Sequence, residues 1–252
     1  MKDWFYAFFM AWGMFLAIPC PFPRWRESAR GRMLVCLPLI GLVAGGLWVL
    51  VAWLAAKLRL PQAVGALCAA AFPWLVTGFL HLDGYMDVCD AVLSRRDLAT
   101  RQKILKDSHC GAFAVIAMVL LALTQWAVCI SVPLNEIPLL PLALLPCAVR
   151  AAAALAVTHL RPLATSQYAA QQKPPAGHTI ALVLMLAAAC ILPLPFCGLA
   201  GFAPLAGAAG YGLAVWFAFR NLDGMSGDIS GFALTLGELA GLAFLFLTRY
   251  YL

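Results

Sequence analysis

Apolar residues run through this sequence in long, almost unbroken stretches, and polar residues gather in a few short loops between them. Windows at about 4–18, 33–56, 62–80, 111–132, 138–159, 179–197, 198–219 and 231–248 read as helices able to cross a bilayer, which takes ~20 such residues. The first is short and suits the membrane interface as well as a crossing. The sixth and seventh are parted only by a turn containing proline and glycine, Pro193 to Gly198. The pattern predicts an all-α fold, a polytopic integral membrane helical bundle of about seven transmembrane helices. It forms a single domain over residues 1–252, without internal repeats or an appended soluble part.

Basic residues then give the bundle a direction. Arg24, Arg26, Arg30 and Arg32 fall in the first polar loop, and Arg95, Arg96, Arg101, Lys103 and Lys106 in the 81–110 loop. Arg161 and Lys173 fall in the 160–178 loop and Arg220 in the 220–230 loop. These loops alternate with short connections nearly free of charge, and only Lys57 and Arg59 weaken the pattern. The positive-inside rule places the four rich loops in the cytoplasm. Glu27, Asp83, Asp87, Asp90, Asp97, Asp107, Asp223 and Asp228 go with them. A transporter more naturally holds its ionisable groups near the membrane midplane on broken helices. Polar groups crowded at one membrane edge favour an enzyme that receives water-soluble substrate parts from the cytoplasm.

Composition agrees. The chain is 64% hydrophobic and 11% charged, whereas a soluble domain carries about 25% charged residues. The net charge of +6 is spread over the loops as membrane topology requires, so it does not indicate a nucleic-acid partner. Nine cysteines are scattered without a CxxC pair or a zinc-like spacing. Cys36, Cys68, Cys129 and Cys190 lie inside apolar stretches and read as packing residues, as do Cys89 and Cys110. Residues 1–23 are bulky and aromatic and lack a small-residue cleavage site, so they read as a retained segment.

The candidate chemistry lies in the run His81-Leu82-Asp83-Gly84-Tyr85-Met86-Asp87-Val88-Cys89-Asp90. Asp83, Asp87 and Asp90 sit at i, i+4 and i+7, within roughly 60° of one another on a helix. Three carboxylates on one stripe repel each other. A hard divalent cation such as Mg²⁺ relieves that repulsion and keeps coordination positions for phosphate. The bland reading is a solvated helix end balanced by the cations that follow. Those cations, Arg96, Arg101 and Lys106, are of the kind that grips a pyrophosphate beside a metal. On an unbroken helix Asp97 and Arg101 would share the Asp83 face. Lys106, Ser108 and Gly111 suit a phosphate-contacting turn at a helix start, with a plain Ser108 cap as the alternative. A second acidic element, Asn221 to Gly231, is rich in glycine and carries Asp228, which reads as a further metal ligand or a helix cap. Glu238 lies inside an apolar span, where a carboxylate is usually paired.

Together these segments resemble the cobalamin synthase, or adenosylcobinamide-GDP ribazoletransferase, family. Its pattern reads roughly TGGLHLDGLADTADG, then RD, then KDSxxGxFG, then a late TGD with a Glu downstream. The matching residues here are Thr77-Gly78-Phe79-Leu80-His81-Leu82-Asp83-Gly84, Asp87, Asp90, Arg96-Asp97, Lys106-Asp107-Ser108, Gly111, Phe113, Ser226-Gly227-Asp228 and Glu238. Phe79 replaces a glycine, Ser226 replaces a threonine, and Ala91 to Ser94 replace a glycine-rich stretch, which points to a stiffer helical connection there. The 160–178 loop matches poorly, and no residue is carried over from it.

The resemblance implies a Mg²⁺-dependent transferase in the bacterial cytoplasmic (inner) membrane, with its site facing the cytoplasm. A hydroxyl of α-ribazole, or of its 5′-phosphate, attacks the corrinoid-side phosphorus of adenosylcobinamide-GDP. GMP leaves, and adenosylcobalamin or its 5′-phosphate forms. Under that implication Asp83, Asp87, Asp90 and Asp228 hold the metal, and His81 or one of the carboxylates takes the hydroxyl proton. Arg96, Asp97, Arg101, Lys106, Asp107, Ser108 and Gly111 bind substrate. Homo-oligomerisation is open to such a bundle. The second reading is a CDP-alcohol phosphotransferase-like lipid enzyme, ranked lower because the Ala-Arg pair expected after the first Asp-Gly is missing. A cation transporter ranks third.

Overall fold

The computed structural model describes residues 2–164, 166 and 174–251; Lys173 lies outside them. Among the described residues the regular structure is helical, apart from one isolated bridge between Pro162 and Met225. In chain order the helices are α1 (Lys2–Phe15), α2 (Arg30–Met33), α3 (Leu37–Lys57), α4 (Gln62–Val76), α5 (Leu80–Leu93), α6 (Leu98–Ile104), α7 (Ala112–Ile130), α8 (Leu139–His159), α9 (Ala176–Ile191), α10 (Leu194–Cys197), α11 (Ala203–Leu222) and α12 (Gly227–Tyr251).

The burial pattern is that of a protein in lipid. On α7 the large residues Phe113, Ile116, Leu120 and Leu123 face outward, while Ala114, Ala117 and Leu121 face the bundle. Small residues let helix backbones approach closely where no hydrophobic force separates a helix from its surroundings.

Contacts at the helix ends fix the path. The start of α4 lies beside the end of α7, where Gln62 Nε2 donates to the Ile130 carbonyl at 2.7 Å. The end of α8 lies beside the start of α9, through His159 and Thr179 at 3.1 Å. It also lies beside the end of α11, through an Arg161–Asp223 ion pair. So α3, α7, α8, α9, α11 and α12 each carry the chain from one end of the bundle to the other, and the bent pair of α4 with α5 counts as one broken span more, approximately consistent with about seven spans. Five continuous segments are long and apolar enough to cross a membrane, and one of them, Ala176–Leu222, folds back on itself as α9 and α11.

Two elements depart from simple crossing. Helix α1 has 14 residues, about 21 Å at 1.5 Å each, too short for a ~30 Å hydrocarbon core. Its Asp3 meets Arg32 at 3.3 Å and Arg26 at 3.4 Å, and just past its far end Ala17 N donates to the Val76 carbonyl at 2.9 Å. Both ends therefore sit at the polar end of the bundle, and α1 lies along that edge. Helices α4 and α5 meet at 88°, where Gly78 and Phe79 adopt consecutive positive φ angles of 59° and 64°. Glycine takes that conformation freely; a side chain there costs about 1–2 kcal/mol. The break turns α5 across the polar end of the bundle.

Candidate active site

Helices α5 and α12 cross backbone against backbone. A Cβ on Gly84 would stand 2.7 Å from the Asp228 carbonyl oxygen, and one on Gly231 would stand 3.0 Å from the His81 carbonyl oxygen. Thr235 Oγ1 donates to that same His81 oxygen at 3.3 Å. This close crossing brings Asp228 to the acidic stripe. Asp83 is exposed, Asp87 and Asp228 are half-buried, and Asp87 lies within electrostatic reach of Asp83, Asp228 and Asp90. Among the described residues none of Asp83, Asp87 and Asp228 has a basic partner. Ser226 caps α12, accepting from the Ile229 amide at 3.2 Å and donating to the Asp228 carboxylate at 3.3 Å. Asp228 is thus not the cap.

Asp90 is placed differently. It is buried, and its two carboxylate oxygens accept the backbone amides of Gly111 and of Ala114, the latter at 3.0 Å. It caps the N-terminus of α7 from another helix. The Gly111 amide therefore serves Asp90, and Ser108 is exposed and is not the cap.

The basic residues divide as well. Helix α5 runs through Ala91–Leu93 and ends; Arg95 turns the chain at φ 54°, and Asp97 starts α6. The Thr100 amide and hydroxyl donate to Asp97 at 3.0 and 2.7 Å, which holds its carboxyl below the usual range. Asp97 and Arg101 therefore do not continue the Asp83 face. Arg101 donates to Asn221 Oδ1 at 2.9 Å and Gln102 to the Leu222 carbonyl at 2.7 Å, clamping α6 to the end of α11. Asp107 pairs with His109 at 2.6 Å, which lowers its pKa, and Arg96 is exposed. Lys106 remains at the site. With Ser226, Gly227 and Asp228 it lines a cavity of about 260 Å³.

His81 is buried and stacks on Phe15, ring centroids 6.4 Å apart, and its Nε2 has no hydrogen-bond partner. Behind it lies a buried ion pair. Arg150 of α8, fully buried, donates to Glu238 of α12 at 2.5 Å. Glu238 is paired, as an intramembrane carboxylate usually is, and its partner is a lone arginine inside the apolar 138–159 stretch, itself a sequence signal of such a pair.

Among the described residues no three His, Cys, Asp or Glu side chains are already drawn into a closed metal-binding group. The donor chemistry nonetheless fits a hard divalent cation, since Asp83, Asp87 and Asp228 are unpaired, mutually repelling oxygen donors.

No solved structure matches the chain. Relatives in sequence match it nearly end to end. An adenosylcobinamide-GDP ribazoletransferase of Clostridium botulinum (strain Alaska E43) is 36% identical over 246 residues, covering 96% of this chain and 97% of the relative. One of Clostridium perfringens (strain 13) is 34% identical over 249 residues, covering 97% and 99%. One of Halalkalibacterium halodurans is 46% identical over 97 residues, covering 38% of this chain and 37% of the relative. The family model described as Cobalamin-5-phosphate synthase matches residues 7–246, a span that holds α5, the α6 clamp, Lys106 and the Asp228 crossing alike. The chain belongs to the cobalamin-5-phosphate synthase family.

Proposed function

We propose that this protein is an adenosylcobinamide-GDP ribazoletransferase of the bacterial cytoplasmic membrane, with the polar end of the bundle facing the cytoplasm. The observation that carries the reading is the meeting of Asp83 and Asp87 from α5 with Asp228 from α12 and Lys106 beside it. That set suits the transfer of a phosphorylated group at a membrane edge, in a chain matched over 96% of its length by a relative of that name.

Such transfer is mostly positioning and charge stabilisation. Lys106 holds the pyrophosphate of the donor. A ribose hydroxyl of α-ribazole, or of its 5′-phosphate, forms a new oxygen–phosphorus bond on the corrinoid side, and the bond to GMP breaks. Asp83, the most exposed carboxylate of the set, is placed to take the hydroxyl proton. Asp83, Asp87 and Asp228 are the residues that would hold Mg²⁺, which when bound would neutralise the phosphoryl oxygens. Asp90, Asp97 and Arg101 hold the scaffold: Asp90 seats α7, and Asp97 and Arg101 fix the loop that carries Lys106.

The test is GMP release from adenosylcobinamide-GDP by the full-length protein in lipid nanodiscs. Release is expected only with α-ribazole or its phosphate present. Chelation should abolish it and added Mg²⁺ restore it. No GMP release, with CMP release from a CDP-alcohol instead, would overturn the reading.

A further inference from the structure

A second cavity of about 260 Å³ opens beside the acidic set, where α1, α3, α5, α8 and α12 meet at the polar end. Its walls are mostly apolar: Phe15, Leu34, Leu37, Leu80 and Leu234, with His81 among them. Ser230, Asp83 and Asp228 also line it, so whatever fills the cavity is held directly against the proposed reaction centre. His81 is 8% exposed and its Nε2 is a buried polar atom with no partner in the protein. His81 therefore brings to the wall an imidazole whose hydrogen-bonding capacity the protein leaves partly unused.

We propose that this cavity receives the heteroaromatic base of the acceptor nucleoside, with the His81 imidazole donating to the base's unsubstituted ring nitrogen. The inference rests on the transferase reading above and assigns its acceptor subsite. Three features select this ligand. Size is the first. Pockets that enclose whole drug-sized molecules run to ~300–1,000 Å³; about 260 Å³ suits one bicyclic base and excludes a corrin ring. Polarity is the second. Guanine presents donors and acceptors on nearly every edge, and the leucine and phenylalanine part of the wall would leave several of them unpaired. The dimethylated benzimidazole of α-ribazole has an apolar perimeter and a single ring acceptor, which matches mostly apolar walls whose polar groups, His81, Ser230 and the two carboxylates, are few. Position is the third. A base seated here places its ribose at Asp83 and Asp228, where the hydroxyl reacts.

Leu80→Trp probes the cavity gently, since Leu80 is 44% exposed and tolerates bulk. In nanodiscs it should raise the KM for α-ribazole about tenfold and leave the KM for the corrinoid donor unchanged, and a riboside of unmethylated benzimidazole should recover much of the loss. Leu34→Ala, which enlarges the cavity, should shift preference toward a naphthimidazole riboside. Wild-type protein should bind a benzimidazole riboside about tenfold more tightly than the indole riboside that lacks the ring nitrogen, and His81→Phe should erase that difference. Binding of the free ribosides is read by equilibrium titration without donor, so it stands apart from turnover. Riboside binding that responds to these variants without any GMP release would uphold the subsite and remove the transferase reading. Normal turnover with acceptor KM and base selectivity untouched by all three variants would overturn the subsite alone. So would a lipid acyl chain retained in wild-type protein and lost in Leu80→Trp with acceptor KM unchanged.

Discussion

Asp83 and Asp90 stand on one sequence stripe, and replacing them should give opposite outcomes. Asp90 accepts the amides of Gly111 and Ala114 in the first turn of α7, and it is buried. Asp90→Ala leaves both donors without a partner inside the protein. At roughly 1–2 kcal/mol for each orphaned amide, the loss is about 2–4 kcal/mol. For a chain of this length that lowers Tm by about 5–15 °C. Asp90→Asn keeps one accepting oxygen but loses the charge at the helix N-terminus, so the cost falls to about 1–2 kcal/mol. Asp83 is exposed, unpaired and repelled by its neighbours. Asp83→Asn removes that repulsion and should leave Tm unchanged or slightly raised, while GMP release falls by at least about a hundredfold. The assay pairs thermal unfolding of the nanodisc-held protein with GMP release on the same preparations. If Asp90→Ala melts with the wild type, or Asp83→Asn melts as low as Asp90→Ala, the division of roles is wrong.

Phe79→Gly should stabilise the protein by about 0.5–1 kcal/mol, because relief of the left-handed backbone outweighs glycine's extra unfolded-state freedom; a Tm lower than wild type would count against it. Gly84→Ala should lose about 1–3 kcal/mol and most activity, since its methyl group meets the Asp228 backbone at 2.7 Å; unchanged GMP release would show that the crossing has slack. Glu238→Gln should destabilise by about 3–5 kcal/mol by stranding the Arg150 charge, whereas Arg150→Met with Glu238→Leu should return to within about 1 kcal/mol of wild type, read as Tm in a double-mutant cycle. Lys106→Ala should lower kcat/KM for the corrinoid donor by about 10–100-fold with Tm unmoved; a change confined to Tm would remove Lys106 from the site.

Much of this fold is legible in the sequence because lipid leaves few alternatives. Long apolar runs become crossing helices, and the reversal between α9 and α11 shows as the turn near Pro193. The helical stripe of Asp83 and Asp87 is legible from spacing alone. The right-angle break before it is not, because Phe79 holds a conformation its side chain disfavours and only tertiary packing enforces. Asp90 looked like its neighbours because position on a helix says which way a side chain points, not which amides wait there. The end of α5 at Leu93 and the restart at Asp97 separated Arg101 from the stripe, and no periodicity marks such a break. Arg150 was visible as a lone charge in an apolar run, but its partner lies on a helix distant in the chain.

The crossing of α5 with α12 also sets a timetable. The two helices are separated in the chain by everything from Ser94 to Ser226, so during synthesis α5 is made well before α12 exists. Until α12 arrives, Gly84 faces an empty groove and the carboxylates of α5 lack Asp228. On the proposed reading, activity therefore appears only once α12 is in place. A chain in which α12 is not seated leaves the small-residue face at Gly84 uncovered and, on the proposed reading, lacks a complete acidic set.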